Sequence, residues 1–192
     1  MEINILLDKA APKLKGLHPS LAESARRLIR RAHGEGIYVI ITQGLRSNSE
    51  QNALYAQGRT APGSIVTNAR GGYSYHNYGL AFDVCVCDVK AGRLIPNWQV
   101  DRRWGRAGAI GRELGLEWGG DWSSFKDYPH FQLAFGLSIN QLRNGRKPPM
   151  EKKVEKQRYR LMTGTFNSKE EAEQAAARLT KAYGWIVYVK EA

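Results

Sequence analysis

The stretch Ser74–Asp83, SYHNYGLAFD, sets a carboxylate at the head of an apolar run, Val84-Cys85-Val86. A chain can bury such a run as a strand only if Asp83 finds a partner, because a buried charge is costly unless it is paired or bound to a metal. His76 lies just upstream, in a glycine-containing loop, and a second histidine, His130, follows much later in DYPHFQL, Asp127–Leu133. Histidine nitrogen and carboxylate oxygen are ordinary zinc ligands. Together these residues suggest a zinc site of His76, Asp83 and His130, with Asp127 beside it as an acid/base.

A catalytic zinc keeps three protein ligands and leaves a position for water, whose pKa it lowers toward neutrality. A nearby carboxylate then takes the proton and passes it to a leaving amine. Asp127 stands three residues before His130, in a turn preceding Pro129. That spacing allows its carboxylate to lie close to a metal without binding it. A single histidine is more often structural than a ligand, so the weight rests on the combination. His18, before Pro19 at a helix start, and His33, at a helix end where positive charge is mildly favoured, have no such setting.

The elements around this site read as α+β. Ser20–Ala32 has a capping-box pattern, Ser20 with Glu23, and apolar residues at helical spacing. Ile37–Thr42 is a branched, strand-forming run. Ser47 and Glu50 open a second helix that stops at Gly58, and Thr60–Tyr73 is loop-like. Leu80–Val89 is the strand carrying Asp83, and Asp101–Leu114 is helical with Gly115 as its C-cap. Leu116–Trp122 begins a short strand, and His130–Ala134 is another. The pattern predicts helices packed around a small antiparallel sheet, with the zinc site on the sheet's open face.

Cys85 and Cys87 alternate with Val86, so both point to the same face of their strand as Asp83. They are too close for a strain-free disulfide across a loop and lack the spacing of a zinc clip. They read as small apolar core residues.

After Leu142 the composition changes. Arg143–Gln157, with two prolines and many charges, reads as a linker between a catalytic domain at 1–142 and a tail at 158–192. The tail predicts a small βαβ unit: strand Tyr159–Phe166, helix Ser168–Gly184 capped by Ser168 with Glu171, and strand Trp185–Lys190. Alone it has little core.

The 192 residues carry a formal net charge of +11, which attracts polyanions of any kind, nucleic acid or an anionic cell wall. The basic residues are scattered and no nucleic-acid motif accompanies them, so no specific nucleic-acid partner is expected. No apolar run is long enough to span a membrane. The N-terminal MEINILLDKAAPKLKG has acids at Glu2 and Asp8 and no cleavage signal, so no secretory signal peptide is expected. Action outside a cytoplasm then needs another exit route.

The motif SxHxxGxAxD, filled by Ser74, His76, Gly79, Ala81 and Asp83, resembles the signature of the zinc D-Ala-D-Ala carboxypeptidase/dipeptidase family, peptidase M15. The later DxxH of Asp127 and His130 is similar to that family's second motif. GLRSNSEQNALYAQGRTAPGSIVTNARGGYSYHNYGLAFDV and GLEWGGDWSSFKDYPHFQL resemble one branch, the L-alanyl-D-glutamate endopeptidases of bacteriophage endolysins and related bacterial autolysins. The resemblance covers roughly Leu17 to Leu142.

The resemblance implies that His76, Asp83 and His130 bind Zn2+, that Asp127 is the general base and then acid, and that Arg46 stabilises charge on the scissile carbonyl. On residues alone, Arg46 also reads as a surface ion-pair arginine. Ser74 and Gln51 are implied substrate contacts, although an exposed helical glutamine is commonplace. Tyr75, Trp118 and Trp122 are candidates to line the cleft, with core packing the alternative for each and for Trp118 above all. Asp121 either orients a zinc histidine or caps the turn after Gly119 and Gly120.

The tail resembles half of a sporulation-related (SPOR) repeat, a module that binds peptidoglycan glycan strands. Pairing of two tails in a homodimer would complete the unit.

The implied activity is cleavage of the L-Ala–D-Glu bond in peptidoglycan stem peptides. The absent signal peptide fits an endolysin made in a host cytoplasm and released through a holin; a secreted host autolysin is the alternative. The rivals are a D,D-carboxypeptidase or D-Ala-D-Ala dipeptidase with the same metal site and, from another class, a non-catalytic cell-wall-binding protein.

Overall fold

The computed structural model describes residues 1–150 and 166–183. The chain divides into two units, Met1–Glu151 and Lys152–Ala192. The first unit contains α1 (Ile3–Ala10), α2 (Pro19–Gly34), β1 (Tyr38–Gln43), α3 (Asn48–Ala56), β2 (Ala81–Lys90), β3 (Arg93–Pro96), α4 (Arg102–Glu113), β4 (Glu117–Trp118), β5 (His130–Gln132) and α5 (Ile139–Arg143). Single 3-10 turns lie at Tyr75–Tyr78 and Gly119–Asp121. This is the expected α+β fold, a small antiparallel sheet with helices packed around it.

The sheet runs β1-β2-β5-β4, with β3 also paired to β2. Every pairing is antiparallel. Alternation along β2 divides its side chains between two faces. Phe82, Val84 and Val86 join Leu21, Leu28, Ile29, Trp104, Ile110 and Phe131 in one buried cluster. Asp83 projects to the other face, where its register partner on β5 is His130. A one-residue slip of β5 would turn His130 into the core, so the apolar pairing Phe82↔Phe131 fixes the polar one beside it. Cys85 and Cys87 are buried free thiols, as the sequence predicts.

Helix starts follow local chemistry. Ser47 and Glu50 form a complete capping box at α3, and Asp101 caps α4 through the amide of Arg103 at 2.8 Å. α2 differs from expectation: it begins at Pro19 with His18 as N-cap. Proline serves at a first helical position because the amide it lacks would be unpaired there anyway.

Two elements carry weaker sequence signals. α1 is a short helix buried only through Leu6 and Ala10. β3 is a largely exposed strand ending in proline. It is joined to β2 by a turn in which Ala91 and Gly92 both take positive φ, 47° and 74°, the conformation that matches hairpin twist.

In the second unit, α6 (Lys169–Tyr183) starts where expected, with Ser168 Oγ accepting from the amide of Glu171 at 3.2 Å. The tail strands expected at Tyr159–Phe166 and Trp185–Lys190 lie outside the described residues, apart from Phe166. No helix among the described residues is long and apolar enough to cross a membrane.

Candidate metal centre

Three acceptor atoms converge on the polar face of the sheet. His76 enters from the 3-10 turn, whose N-cap is Ser74 and whose end is Gly79 with φ 67°. Asp83 comes from β2 and His130 from β5. His76 Nε2 lies 3.1 Å from Asp83 Oδ1 and 3.3 Å from His130 Nδ1. His130 Nδ1 lies 3.3 Å from the same Asp83 oxygen.

Each histidine spends its other nitrogen elsewhere. His76 Nδ1 donates to the Gly44 carbonyl at 2.8 Å, and His130 Nε2 donates to Gln132 Oε1 at 2.9 Å. The two inward nitrogens of neutral imidazoles therefore carry lone pairs, and they face a carboxylate oxygen. Three acceptors so close together need a shared cation or added protons. Zinc bonds of about 2.0–2.1 Å at tetrahedral angles put neighbouring ligand atoms about 3.3 Å apart, which matches this triangle. His76, Asp83 and His130 also form the group able to hold a metal ion among the described residues.

The electrostatics of the site follow from this crowding. Burial alone would raise the Asp83 carboxyl, but hydrogen bonds and charge from His130 and His76 outweigh it and hold it well below the usual range. Burial disfavours a charged His130, yet its bond to Asp83, the Asp83 charge and the bond to Gln132 raise its pKa above the ordinary value.

Asp127 is half-buried at the end of the loop before β5. Burial, then the charge of Asp83, raises its carboxyl. Its backbone is fixed at both ends: its amide donates to the Gly119 carbonyl, and its carbonyl accepts from the His130 amide. Among the described residues its carboxylate accepts no side-chain hydrogen bond, so its lone pairs are free. Gly119 makes this approach fit, since a Cβ there would meet the Asp127 carbonyl at 2.4 Å and the Cβ atoms of Asp127 and His130 at 3.1 Å.

Arg46 follows β1 and reaches the same carboxylate from behind. Nη2 bonds Asp83 Oδ2 at 3.2 Å and Nη1 bonds Gln51 Oε1 at 2.8 Å. Its amide donates to the His76 carbonyl, and the Arg46 carbonyl accepts from Asn77 Nδ2 at 3.0 Å. Arg46 is therefore no loose surface ion pair.

Two of the candidate substrate contacts are buried in this structure. Gln51 is fully buried, and its amide is spent on Arg46, Thr67 and the Ala69 carbonyl. It braces Arg46 and the loop before Ser74. Trp118 is buried in the core cluster, with its indole N–H donating to the Tyr128 carbonyl at 2.8 Å. Trp122 is half-exposed with its ring 5.1 Å from that of His130. Tyr75 is half-buried with its hydroxyl on the Leu137 carbonyl, and Ser74 Oγ accepts from the His76 amide at 3.4 Å. Asp121 pairs with Arg112 at 2.6 Å and orients no histidine.

Sequence reasoning missed the residues that hold the histidines, Gly44 and Gln132. Gln132 stands two residues beyond His130 on a strand, hence on the same face, which was the available signal.

A protein-family profile described as D-alanyl-D-alanine carboxypeptidase matches residues 67–133, which take in His76, Asp83, Asp127 and His130. Peptidoglycan L-alanyl-D-glutamate endopeptidase CwlK of Bacillus subtilis is 46% identical over 136 residues, covering 68% of this chain and 80% of that protein. The chain belongs to the M15 peptidase family. A second relative, the L-alanyl-D-glutamate peptidase of Listeria phage A118, is 31% identical over 114 residues, 58% of this chain and 36% of that protein. The solved Serratia marcescens L-Ala D-Glu endopeptidase ChiX aligns with a TM-score of 0.48 and 28% identity, covering 66% of this chain and 87% of that one. A profile described as SPOR domain matches residues 139–188. Beside its M15 unit the chain thus has a SPOR segment, whose match begins in α5.

Proposed function

We propose that the M15 unit is a zinc-dependent endopeptidase that cuts the L-Ala–D-Glu bond of peptidoglycan stem peptides. Membership of the family makes the chain a peptidoglycan-hydrolysing metallopeptidase; the bond cut, the metal and the residue roles are our reading. The observation that carries it is the triangle of acceptors formed by His76 Nε2, Asp83 Oδ1 and His130 Nδ1.

A zinc ion held there supplies a Lewis acid that activates water and polarises a carbonyl. Asp127, with free lone pairs and a raised pKa, accepts the proton of the attacking water and returns it to the departing D-Glu amine. Arg46, braced by Gln51, offers a fixed cation to the charge developing on the alanyl carbonyl oxygen. Ser74, Tyr75 and Trp122 border the centre and contact the peptide.

Residues 143–157 act as a tether in this reading, and 158–192 engage glycan strands or pair with the tail of a second copy. The net charge of +11 holds the enzyme on an anionic wall. A phage endolysin released through a holin is the setting we favour over a secreted autolysin, given the phage relative.

A second reading, D,D-carboxypeptidase, is favoured by the description of the matching profile. Digestion of purified muropeptides, with and without a chelator, separates the two by mass spectrometry. Peptides beginning with D-Glu, lost on chelation and restored by zinc, are expected. Release of free D-alanine instead would overturn the endopeptidase reading. Sedimentation of the full chain, and its binding to glycan strands stripped of peptide, test the tail.

A further inference from the structure

A polar row crosses the sheet beside the metal centre. Glu117 on β4 is the register partner of Gln132 on β5, and Gln132 shares its face with His130. Gln132 is buried at 7% exposure. Its Nε2 donates to Glu117 Oε2 at 2.8 Å, and its Oε1 accepts from His130 Nε2 at 2.9 Å.

We propose that Glu117 and Gln132 form a clamp that holds His130 in the tautomer whose Nδ1 faces the metal. The inference rests on the zinc reading given above. The logic is one of donors and acceptors. An amide presents an oxygen on one side and an NH2 on the other, and alone it could satisfy either nitrogen state of an imidazole by turning over. The Glu117 carboxylate oxygen accepts from the Gln132 amide. It therefore fixes the NH2 of Gln132 on its own side and leaves the oxygen for His130. Faced with an acceptor, Nε2 of His130 must carry the hydrogen, and Nδ1 is left with its lone pair pointing at His76 and Asp83.

The clamp has a competitor in the same site. Asp83 Oδ1, 3.3 Å from His130 Nδ1, attracts a proton to that nitrogen, which would block a metal. Arg46 weakens this pull by holding Asp83 Oδ2, and the clamp opposes it from the far side of the ring. His76 needs no such device, because the Gly44 carbonyl at 2.8 Å can only accept. Gln132 and Glu117 are positioning residues in this scheme: neither reaches the reacting atoms.

The test is zinc affinity of the full chain, measured by competition with a chromogenic chelator, together with imidazole 15N shifts of His130 in the zinc-loaded protein. Gln132→Ala should weaken zinc binding about 10- to 100-fold, as losing the partner of a ligating histidine does. The Nε2–H resonance should then exchange rapidly with water. Glu117→Gln should weaken binding by a smaller factor, since the glutamine amide regains freedom to turn. The swap E117Q/Q132E restores every donor and acceptor, with Gln at 117 donating to Glu at 132 and Glu accepting from His130. It should bring affinity back to within a few-fold of wild type. A merely structural role for Gln132 predicts no such rescue. Gln132→Ala leaving zinc affinity within twofold of wild type, a swap no tighter for zinc than Gln132→Ala, or ligation of His130 through Nε2, overturns the clamp. A wild-type chain that takes no zinc overturns the metal reading itself, and so is told apart from failure of the clamp alone.

Discussion

Arg46 grips the back of Asp83. Nη2 lies 3.2 Å from Oδ2, while Oδ1 of the same carboxylate is turned to His76 and His130. The second nitrogen of the guanidinium is held by Gln51. A planar fork can serve both partners at once, and the point charge of lysine cannot. Arg46→Ala should lower kcat by about 100- to 1,000-fold, the usual cost of removing one oxyanion donor. Arg46→Lys should recover only part of this. Steady-state kinetics with a defined muropeptide checks both.

Asp127 should separate catalysis from metal binding. Asp127→Asn keeps the shape of the loop but removes the base. The expected loss in kcat is about 100- to 10,000-fold, with zinc content by mass spectrometry unchanged. A variant that keeps full lytic rate would remove Asp127 from the mechanism.

Gln51 should prove a stability residue before anything else. Its side chain is fully buried and joins Arg46 to Thr67 and Ala69. Gln51→Ala leaves buried partners unsatisfied, at a cost of about 1–3 kcal/mol. Melting should fall by about 2–4 °C for each kcal/mol in a chain of this size, read by calorimetry. An unchanged melting temperature with a raised KM would return Gln51 to the list of substrate contacts.

Gly119 should tolerate no side chain. A Cβ at this position meets the Asp127 carbonyl at 2.4 Å, so Gly119→Ala must push the Asp127–His130 turn away. A displacement near 1 Å can cost about 100-fold in rate. Activity should fall far more than far-UV circular dichroism changes.

The stability of metal-free protein should depend on pH in two opposed ways. Asp83 has a depressed pKa in the folded state. It therefore binds fewer protons folded than unfolded near pH 4, and its contribution is present above the ordinary value of about 3.9 and lost as pH falls. His130 has a raised pKa. Its contribution is full below about 6.5 and is lost as pH rises through the folded value. Metal-free melting temperature should thus decline on both sides of a window between about pH 4 and 6.5. Stabilisation by added zinc should instead grow with pH, because the ligands must be deprotonated. Scanning fluorimetry across pH, with and without zinc, checks both trends.

Much of this was legible in the chain itself. The capping box at Ser47, the Ser168 cap of α6 and the alternation along β2 are set by neighbours within a few positions, and they emerged as read. Long-range pairing decided the rest. Asp83 meets His130 only because β2 and β5 pair in one register, which the apolar pair Phe82 and Phe131 fixes. Gln51 looked like a surface residue on a helix and became the buried brace of Arg46, since the loop at 67–69 closes over it. Trp118 went to the core for a similar reason: Gly108 leaves room for its ring, where a Cβ would approach within 2.4 Å. The sequence by itself determined which groups were available to bind a cation. The tertiary structure alone decided which atoms of those groups face one another, because burial and strand register select a single arrangement from many that local preferences allow.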